Sequence, residues 1–151
     1  MSRGGAEVRR TGRGRDGLPP LLFERDLPHA PAKVWRALTK SWLVEQWLMS
    51  NDLVPEVGHR FAFRAQGMIT RCAVLALDEP RLLTYRWGDG TAAGGLLRST
   101  VTWTLAASGG GTALRLEHAG FRSRDASAYE AMRAGWPRVL DRLAEVVAEG
   151  R

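Results

Sequence analysis

The sequence has a single cysteine, Cys72, among 151 residues, so it cannot form an internal disulfide bond. Its three histidines, His29, His59 and His118, are scattered, and they lack the His-x-x-x-His or comparable spacing that is typical of a zinc site. We therefore predict that the domain uses no metal ion and no other cofactor, and that Cys72 is a small buried apolar residue.

Long apolar runs are also missing. No segment approaches the roughly 20 consecutive apolar residues that a membrane-spanning helix needs, and the first residues lack the apolar stretch of a secretory signal. Together with the scarcity of cysteine, these absences favour a cytoplasmic protein without a membrane span.

Lysine is scarce, and the positive charge comes mostly from arginine. Lysine and arginine number 22 against 16 acidic residues, a net charge of +6, yet only Lys33 and Lys40 are lysines. Residues 1–20 hold five arginines and two acidic residues, which is +3, half of the net charge. We predict a disordered basic Gly/Arg-rich tail over residues 1–18, because it cannot bury enough apolar surface to fold. One domain then covers residues 19–151, and its modest charge indicates no specific nucleic-acid partner.

Familiar catalytic motifs are absent from the sequence. The glycine-rich stretch at 88–95 lacks the Gly-Lys-Ser/Thr ending of a phosphate-binding loop, and no Gly-x-Ser-x-Gly elbow is present. No two carboxylates are placed together by spacing alone. These absences favour a binding protein over an enzyme.

The order of sequence patterns predicts an α+β domain. A strand at 21–27 is followed by two short helices, about five strands with period-two alternation and a long C-terminal helix. A capping box of Ser127 and Glu130 predicts where that helix begins, and Pro137 beside Gly135 predicts a kink or a fresh helical start. Short turns make consecutive strands antiparallel, and a sheet curved around one long helix leaves a space where a ligand can bind.

The residues expected to face this space are mainly apolar and aromatic. Buried Trp and Tyr side chains need hydrogen-bond partners, so several of them around one cavity suit an apolar ligand with a few polar atoms. We predict that the cavity is lined by Phe61, Phe63, Met68, Tyr85, Trp87, Val101, Trp103, Leu116, His118, Phe121, Tyr129, Met132 and Trp136.

His118 is the polar member of this set. Alternation along its strand places it on the face of Leu114 and Leu116. It would act there as a hydrogen-bond donor to a ligand, as a general base, or as a structural histidine bonded within the fold. We favour the structural role, because the sequence offers no carboxylate partner. No catalytic residue is therefore assigned.

Five stretches within residues 21–148 follow one another in a characteristic order. They are residues 27–47 with Trp42 and Trp47, Val57-Gly58 before Phe61, residues 78–82 before Tyr85 and Trp87, residues 114–121, and Gly135-Trp136 with Leu140 and Leu143. Together they resemble the family named for activators of the heat-shock ATPase chaperone, within the START-like (SRPBCC) superfamily. The resemblance implies a helix-grip fold, in which a curved antiparallel sheet wraps around the last helix. Members include chaperone activators, ligand binders, stress-response proteins and cyclases, so fold alone does not select the activity.

Three functions therefore remain open. The first is binding of a hydrophobic small molecule, apolar or aromatic, in the cavity. The second is an enzyme of the polyketide cyclase or aromatase type, with His118 and Tyr85 or Tyr129 moving protons. The third is a protein-interaction module, such as a chaperone partner, for which the resemblance gives less support because the family's chaperone activators carry an additional domain. We expect a monomer or a homodimer.

Overall fold

The computed structural model describes residues 17–149, which fold into one curled antiparallel sheet with helices on its inner side. The elements in chain order are β1 (Leu21–Leu27), α1 (Pro31–Thr39), α2 (Ser41–Trp47), β2 (Ser50–Asn51), β3 (Arg60–Ala65), β4 (Met68–Asp78), β5 (Leu82–Trp87), β6 (Ser99–Ser108), β7 (Gly111–Ala119), a 3-10 turn (Ser123–Asp125) and α3 (Ala126–Ala148). The predicted α+β helix-grip architecture is confirmed.

The sheet has the strand order β1-β7-β6-β5-β4-β3-β2, so the first strand closes against the last. All pairs are antiparallel, and the register places Val101 of β6 opposite His118 of β7 and opposite Tyr85 of β5. The sequence predicts about five strands after the short helices. Five long ones are present, preceded by the two-residue β2, which is too short to leave an alternating pattern.

Strict alternation explains why the sheet has a buried inner face. Along β5, Leu83, Tyr85 and Trp87 are buried, whereas the residues between them are partly exposed. β6 repeats the pattern, with Val101 and Trp103 fully buried on the same side. Side chains alternate between the two faces of a strand, so these residues form a continuous apolar inner surface.

The two short helices begin as their sequences predict. Pro31 occupies the first turn of α1, where its missing N–H has no intrahelical partner to lose. Val34, Trp35 and Leu38 then face the core, and Leu43 and Trp47 do so from α2. Trp47 Nε1 donates a hydrogen bond to the Ala37 carbonyl at 2.9 Å, which ties the two helices together.

The long helix α3 differs from its prediction at its N-terminus, and at Pro137 it excludes one of the two predicted alternatives, the fresh start. It begins at Ala126, directly after the 3-10 turn, so Ser127 lies inside the helix and the predicted capping box does not form. Glu130 instead pairs with Arg133, at 2.7 Å. The helix also continues through Pro137 without a fresh start. Proline removes one backbone donor, but the packing of the following turns holds the helix together.

The folded domain begins slightly before its predicted boundary at residue 19. Gly17 forms an isolated bridge with Arg122, and the Leu18 N–H donates to the Phe121 carbonyl at 2.9 Å. These two residues were predicted to be disordered, and this part of the prediction is wrong because the segment after β7 offers them backbone partners. The rest of the predicted tail, residues 1–16, lies outside the described residues, as do residues 150–151.

Candidate functional site

Aromatic rings pack between the inner face of the sheet and α3. The ring of Trp136, in the middle of α3, lies 5.9 Å from that of Trp87 on β5 and 5.8 Å from that of Trp103 on β6. Trp103 also meets Trp47 of α2 edge-on at 5.6 Å. Aromatic quadrupoles favour edge-to-face contacts at such distances, so the sheet, α2 and α3 share one ring cluster.

The cluster continues across the sheet toward β3. Phe63 lies 5.1 Å from Trp87, and Phe61 lies 5.4 Å from Phe63 and 5.5 Å from Tyr85. These four side chains come from β3 and β5, the two neighbours of β4, and all are buried. They form the end of the interior that lies farthest from β1.

At the other end, the cluster reaches the first turns of α3. His118 lies 4.7 Å from Phe121, whose ring meets that of Tyr129 edge-on at 5.1 Å. Tyr129 and Met132 are only partly buried, and no residue of α3 before Trp136 is fully buried. The C-terminal half of the helix, in contrast, buries Leu140 and Leu143 along with its other core residues. The N-terminal half of α3 is therefore the thinnest cover over the interior.

A closed chain of hydrogen bonds surrounds His118. Trp136 Nε1 lies 3.0 Å from Nδ1 of His118, and Nε2 of His118 lies 2.8 Å from the Ser99 hydroxyl, which donates to the Trp87 carbonyl at 3.1 Å. An indole N–H can only donate, so Nδ1 must be the acceptor and the proton of the neutral imidazole resides on Nε2. Both ring nitrogens are thus occupied by partners within the fold.

His118 is fully buried, and this burial lowers its pKa from 6.5 to about 3. Desolvation disfavours the charged imidazolium, and none of the carboxylates in the described part of the chain is near enough to offset that cost. The histidine therefore stays neutral at physiological pH, which matches the structural role favoured from the sequence.

Tyr85 is the second buried polar group, and its hydrogen bonding is incomplete. Trp103 Nε1 donates to the Tyr85 hydroxyl oxygen at 3.0 Å. Within residues 17–149, no acceptor lies within hydrogen-bonding distance of the proton of that hydroxyl. Burial raises the pKa of Tyr85, so the proton remains on the oxygen. Within the described chain, the Tyr85 hydroxyl is therefore a buried donor without a protein acceptor.

One family model matches most of the chain. The family model described as activator of Hsp90 ATPase homolog 1-like protein covers residues 28–148. The chain belongs to this family. Its fold is of the START/SRPBCC type, as the resemblance implied. No curated protein matches the sequence.

Solved structures with the same fold extend the comparison. The chain is similar to protein MLL2253 from Mesorhizobium loti, with 39% identity and a TM-score of 0.82 over 88% of this chain and 99% of that one. It is also similar to BH1534 from Bacillus halodurans, with 26% identity and a TM-score of 0.75 over 87% and 99%. CalU16 from Micromonospora echinospora has 26% identity and a TM-score of 0.68 over 85% and 75%.

In this family member, ten of the thirteen predicted wall residues are buried together in the interior between the sheet and the helices. They are Phe61, Phe63, Tyr85, Trp87, Val101, Trp103, Leu116, His118, Phe121 and Trp136. Tyr129 and Met132 are partly buried and pack against this cluster. Their role as the wall of a ligand site stays a prediction.

Met68 does not belong with them, since its side chain is 72% exposed. It pairs with Ala65 at the last position before the β3–β4 turn, where the hairpin extends beyond the core. Its register is that of the inner face, but none of residues 17–149 covers the face there. The sequence pattern predicts which face of a strand a side chain occupies, but it does not predict how far along the strand that face is covered by other elements.

Two residues of this interior were not predicted as site residues. Ser99 lies on the same face of β6 as Val101 and Trp103, so alternation identified its side, but only its contact with His118 makes it important. Trp47 packs on Trp103 from α2, and its helical spacing from Leu43 was the available sequence signal.

Three further observations concern the buried thiol, the side chains that could hold a metal ion, and the helices. Burial raises the pKa of the Cys72 thiol to about 12, so the thiol stays protonated. In the described part of the chain, no three His, Cys, Asp or Glu side chains come together in a way that would hold a metal ion. Among the helices described, none combines the length and apolar content that crossing a bilayer requires.

Proposed function

We propose that this domain binds a small, mainly apolar molecule between the sheet and α3, and that a hydrogen-bond acceptor of that molecule faces Tyr85. The single observation that carries the proposal is the buried Tyr85 hydroxyl, whose proton has no acceptor in the described chain. A buried donor left unsatisfied costs about 1–3 kcal/mol. A ligand carbonyl or ether oxygen would recover that energy.

The surroundings of Tyr85 define the rest of the ligand. Phe61 lies 5.5 Å from its ring and Phe63 lies 6.2 Å away, and both are buried. No charged side chain is buried in the described interior. A charged ligand would therefore lose its hydration without gaining a counter-ion, whereas an aromatic or aliphatic body is compatible with these walls.

The ligand would enter the interior past the first turns of α3. Tyr129 and Met132 cover the interior there while remaining partly exposed. Methionine is flexible and fills irregular space, so it can be displaced at low cost. Entry past Met132 would leave the packed C-terminal half of α3 in place.

The cyclase-type enzyme is the weaker alternative. A general base needs a free nitrogen and a pKa near the working pH. His118 has both ring nitrogens occupied, and its pKa lies near 3. The observations therefore support binding before proton transfer.

Two isosteric probes test the Tyr85 hydrogen bond. Acetophenone carries a carbonyl oxygen, and α-methylstyrene has the same shape with a CH₂ group in its place. In titrations followed by protein amide chemical shifts, acetophenone should bind the wild type about fivefold more tightly, as expected for one hydrogen bond.

Two tyrosine variants provide the matched comparison, because the chain has only Tyr85 and Tyr129. Tyr85→Phe should abolish the preference for the carbonyl probe, and Tyr129→Phe should keep it. Native mass spectrometry of freshly purified protein should in addition show a mass excess that disappears on denaturation. Equal affinity of the two probes for the wild type, or an unchanged preference in Tyr85→Phe, would overturn the proposal.

A further inference from the structure

The outer face of β3, β4 and β5 carries four arginines that converge on two alanines. Side chains next to the buried inner-face residues point outward, and these include Arg60, Arg71 and Arg86. The register places Ala73 directly between Arg60 and Arg86, and it places Arg71 opposite Ala62. Arginines from three adjacent strands thus surround a floor of small side chains.

This arrangement forms a shallow recess of about 320 Å³. Ala62 and Ala73 are buried beneath the longer side chains around them. The recess is lined by Asp52, Arg60, Phe61, Ala62, Arg64, Arg71, Cys72, Arg86 and Asp89. Four guanidinium groups and two carboxylates leave it with a net charge of +2.

The two carboxylates of this arginine recess offset only part of its positive charge. Asp52 accepts a hydrogen bond from the Ala62 N–H at 2.8 Å, and its contact with Arg64 is a long 3.9 Å. Asp89 accepts hydrogen bonds from the Thr91 hydroxyl and N–H at 2.6 and 3.0 Å, and these bonds, with smaller contributions from the charges of Arg71 and Arg86, lower its pKa. Arg60 and Arg71 form no ion pair with any residue in 17–149.

At the opposite end of the sheet, the outer-face arginine Arg115 has an acidic neighbour. A recess of about 380 Å³ between β1 and β7 is lined by Glu24, Arg25, Asp26, Ala113, Leu114 and Arg115, so its charges balance. There Glu24 lies directly opposite Arg115 across the strands. Opposite charges in register stabilise a sheet, and uncompensated like charges repel. The arginine recess therefore keeps an excess positive charge, whereas the charges of the recess between β1 and β7 balance.

We propose that the arginine recess binds a phosphate group of a small molecule. Guanidinium forks bind phosphate oxygens in bidentate fashion, and several can share one phosphate. Arg86 is already oriented, because its Nε donates to the Gly88 carbonyl at 3.1 Å. Arg60 and Arg86 stand two strand spacings apart, about 10 Å, which lets their long side chains close on one group from both sides.

The size and borders of the recess favour a single phosphate over a nucleic-acid strand. A strand needs a continuous positive track that follows several phosphates. Here Asp52 and Asp89 line the same recess as the arginines and interrupt such a track. The site lies on the outer face, so it is independent of the interior site around Tyr85.

The test uses the purified full chain, with inorganic phosphate and phenyl phosphate as probes at constant ionic strength. Amide and arginine Nε–H NMR signals of residues 60–73 and 86–89 should shift in a saturable way. Arg60→Gln and Arg71→Gln should each weaken binding by at least about fivefold, as expected for the loss of charge-assisted hydrogen bonds. Arg115→Gln is the matched control, since it removes an outer-face arginine that lies opposite Glu24.

The outcomes separate the sources of the phosphate. Binding of both probes supports a general phosphate site, and binding of phenyl phosphate alone supports a phosphate ester. The absence of saturable shifts would overturn the proposal, as would equal weakening by Arg115→Gln. Binding of a single-stranded oligonucleotide without either small probe would also overturn it, in favour of a nucleic-acid surface.

Discussion

His118 and Tyr85 both lie on the inner face of the sheet, but they differ in whether all their hydrogen-bonding atoms have partners. The chain through His118 runs from the Trp136 indole to the Ser99 hydroxyl and closes on the Trp87 carbonyl. The chain through Tyr85 receives the Trp103 indole N–H and then stops, with its own proton unpaired in the described structure. Both groups are buried in the same ring cluster.

This difference distinguishes a polar group that stabilises the fold from one that is a candidate for binding a ligand. A buried polar group with all partners satisfied holds elements together, and here it joins α3 to β5, β6 and β7. A buried polar group with a missing partner needs an explanation, such as a ligand or an ordered water molecule. The closed chain around His118 is thus the fixed end of the interior, and Tyr85 is where binding is proposed.

The largest expected effect comes from breaking the closed chain. His118→Ala leaves the buried Trp136 N–H without an acceptor and creates a cavity, so we expect the free energy of unfolding to fall by about 3–5 kcal/mol. Denaturant unfolding measures this change. His29→Ala is the control: its ring has one long contact, to Lys33 at 3.4 Å, and its loss should cost no more than about 0.5 kcal/mol. A loss below about 1 kcal/mol for His118→Ala would contradict a structural role.

An intermediate effect follows from acidification. The folded chain binds no proton at His118 until about pH 3, whereas the ordinary imidazole pKa is 6.5. The contribution of the neutral histidine is therefore complete above pH 6.5 and is lost progressively as the pH falls toward 3. The slope is about 1.4 kcal/mol per pH unit, or about 2 kcal/mol at pH 5.

A variant isolates this contribution from the carboxylates. His118→Gln cannot titrate, so the stability gap between it and the wild type should narrow by about 2 kcal/mol between pH 7 and pH 5. Unfolding in denaturant at both pH values measures the gap. A gap that stays constant over this interval would show that the imidazole is not held neutral.

The alternation of apolar and polar residues predicted much of the sheet, because every second side chain of a strand lies on the same face. It placed Tyr85, Trp103 and His118 on the inner face, where the structure has them. It does not reveal how far along a strand the inner face is covered, and Met68, which we predicted to line the cavity, is exposed. The start of α3 was missed for a related reason: a 3-10 turn that continues into α3 has the same local composition as a loop.

The hydrogen-bond chains were beyond reach of the sequence. The Ser99–His118 contact joins strands β6 and β7, and it depends on a register that is fixed by the whole sheet. The pairing of Trp103 with Tyr85 crosses from β6 to β5 in the same way. The sequence identifies the polar groups of the interior, but only the structure shows which of them have all their hydrogen-bond partners.

The smallest expected effect compares single oxygens in the two chains. Ser99→Ala strips a partner from both His118 Nε2–H and the Trp87 carbonyl, so it should cost about 2 kcal/mol. Tyr85→Phe strips a partner from the Trp103 N–H only, and it also removes an unpaired donor, so about 1 kcal/mol or less is expected. Both are measured by denaturant unfolding of protein refolded without any retained ligand. If Tyr85→Phe costs as much as Ser99→Ala, the Tyr85 proton has a partner in the folded protein, and the distinction between the closed and the open chain disappears.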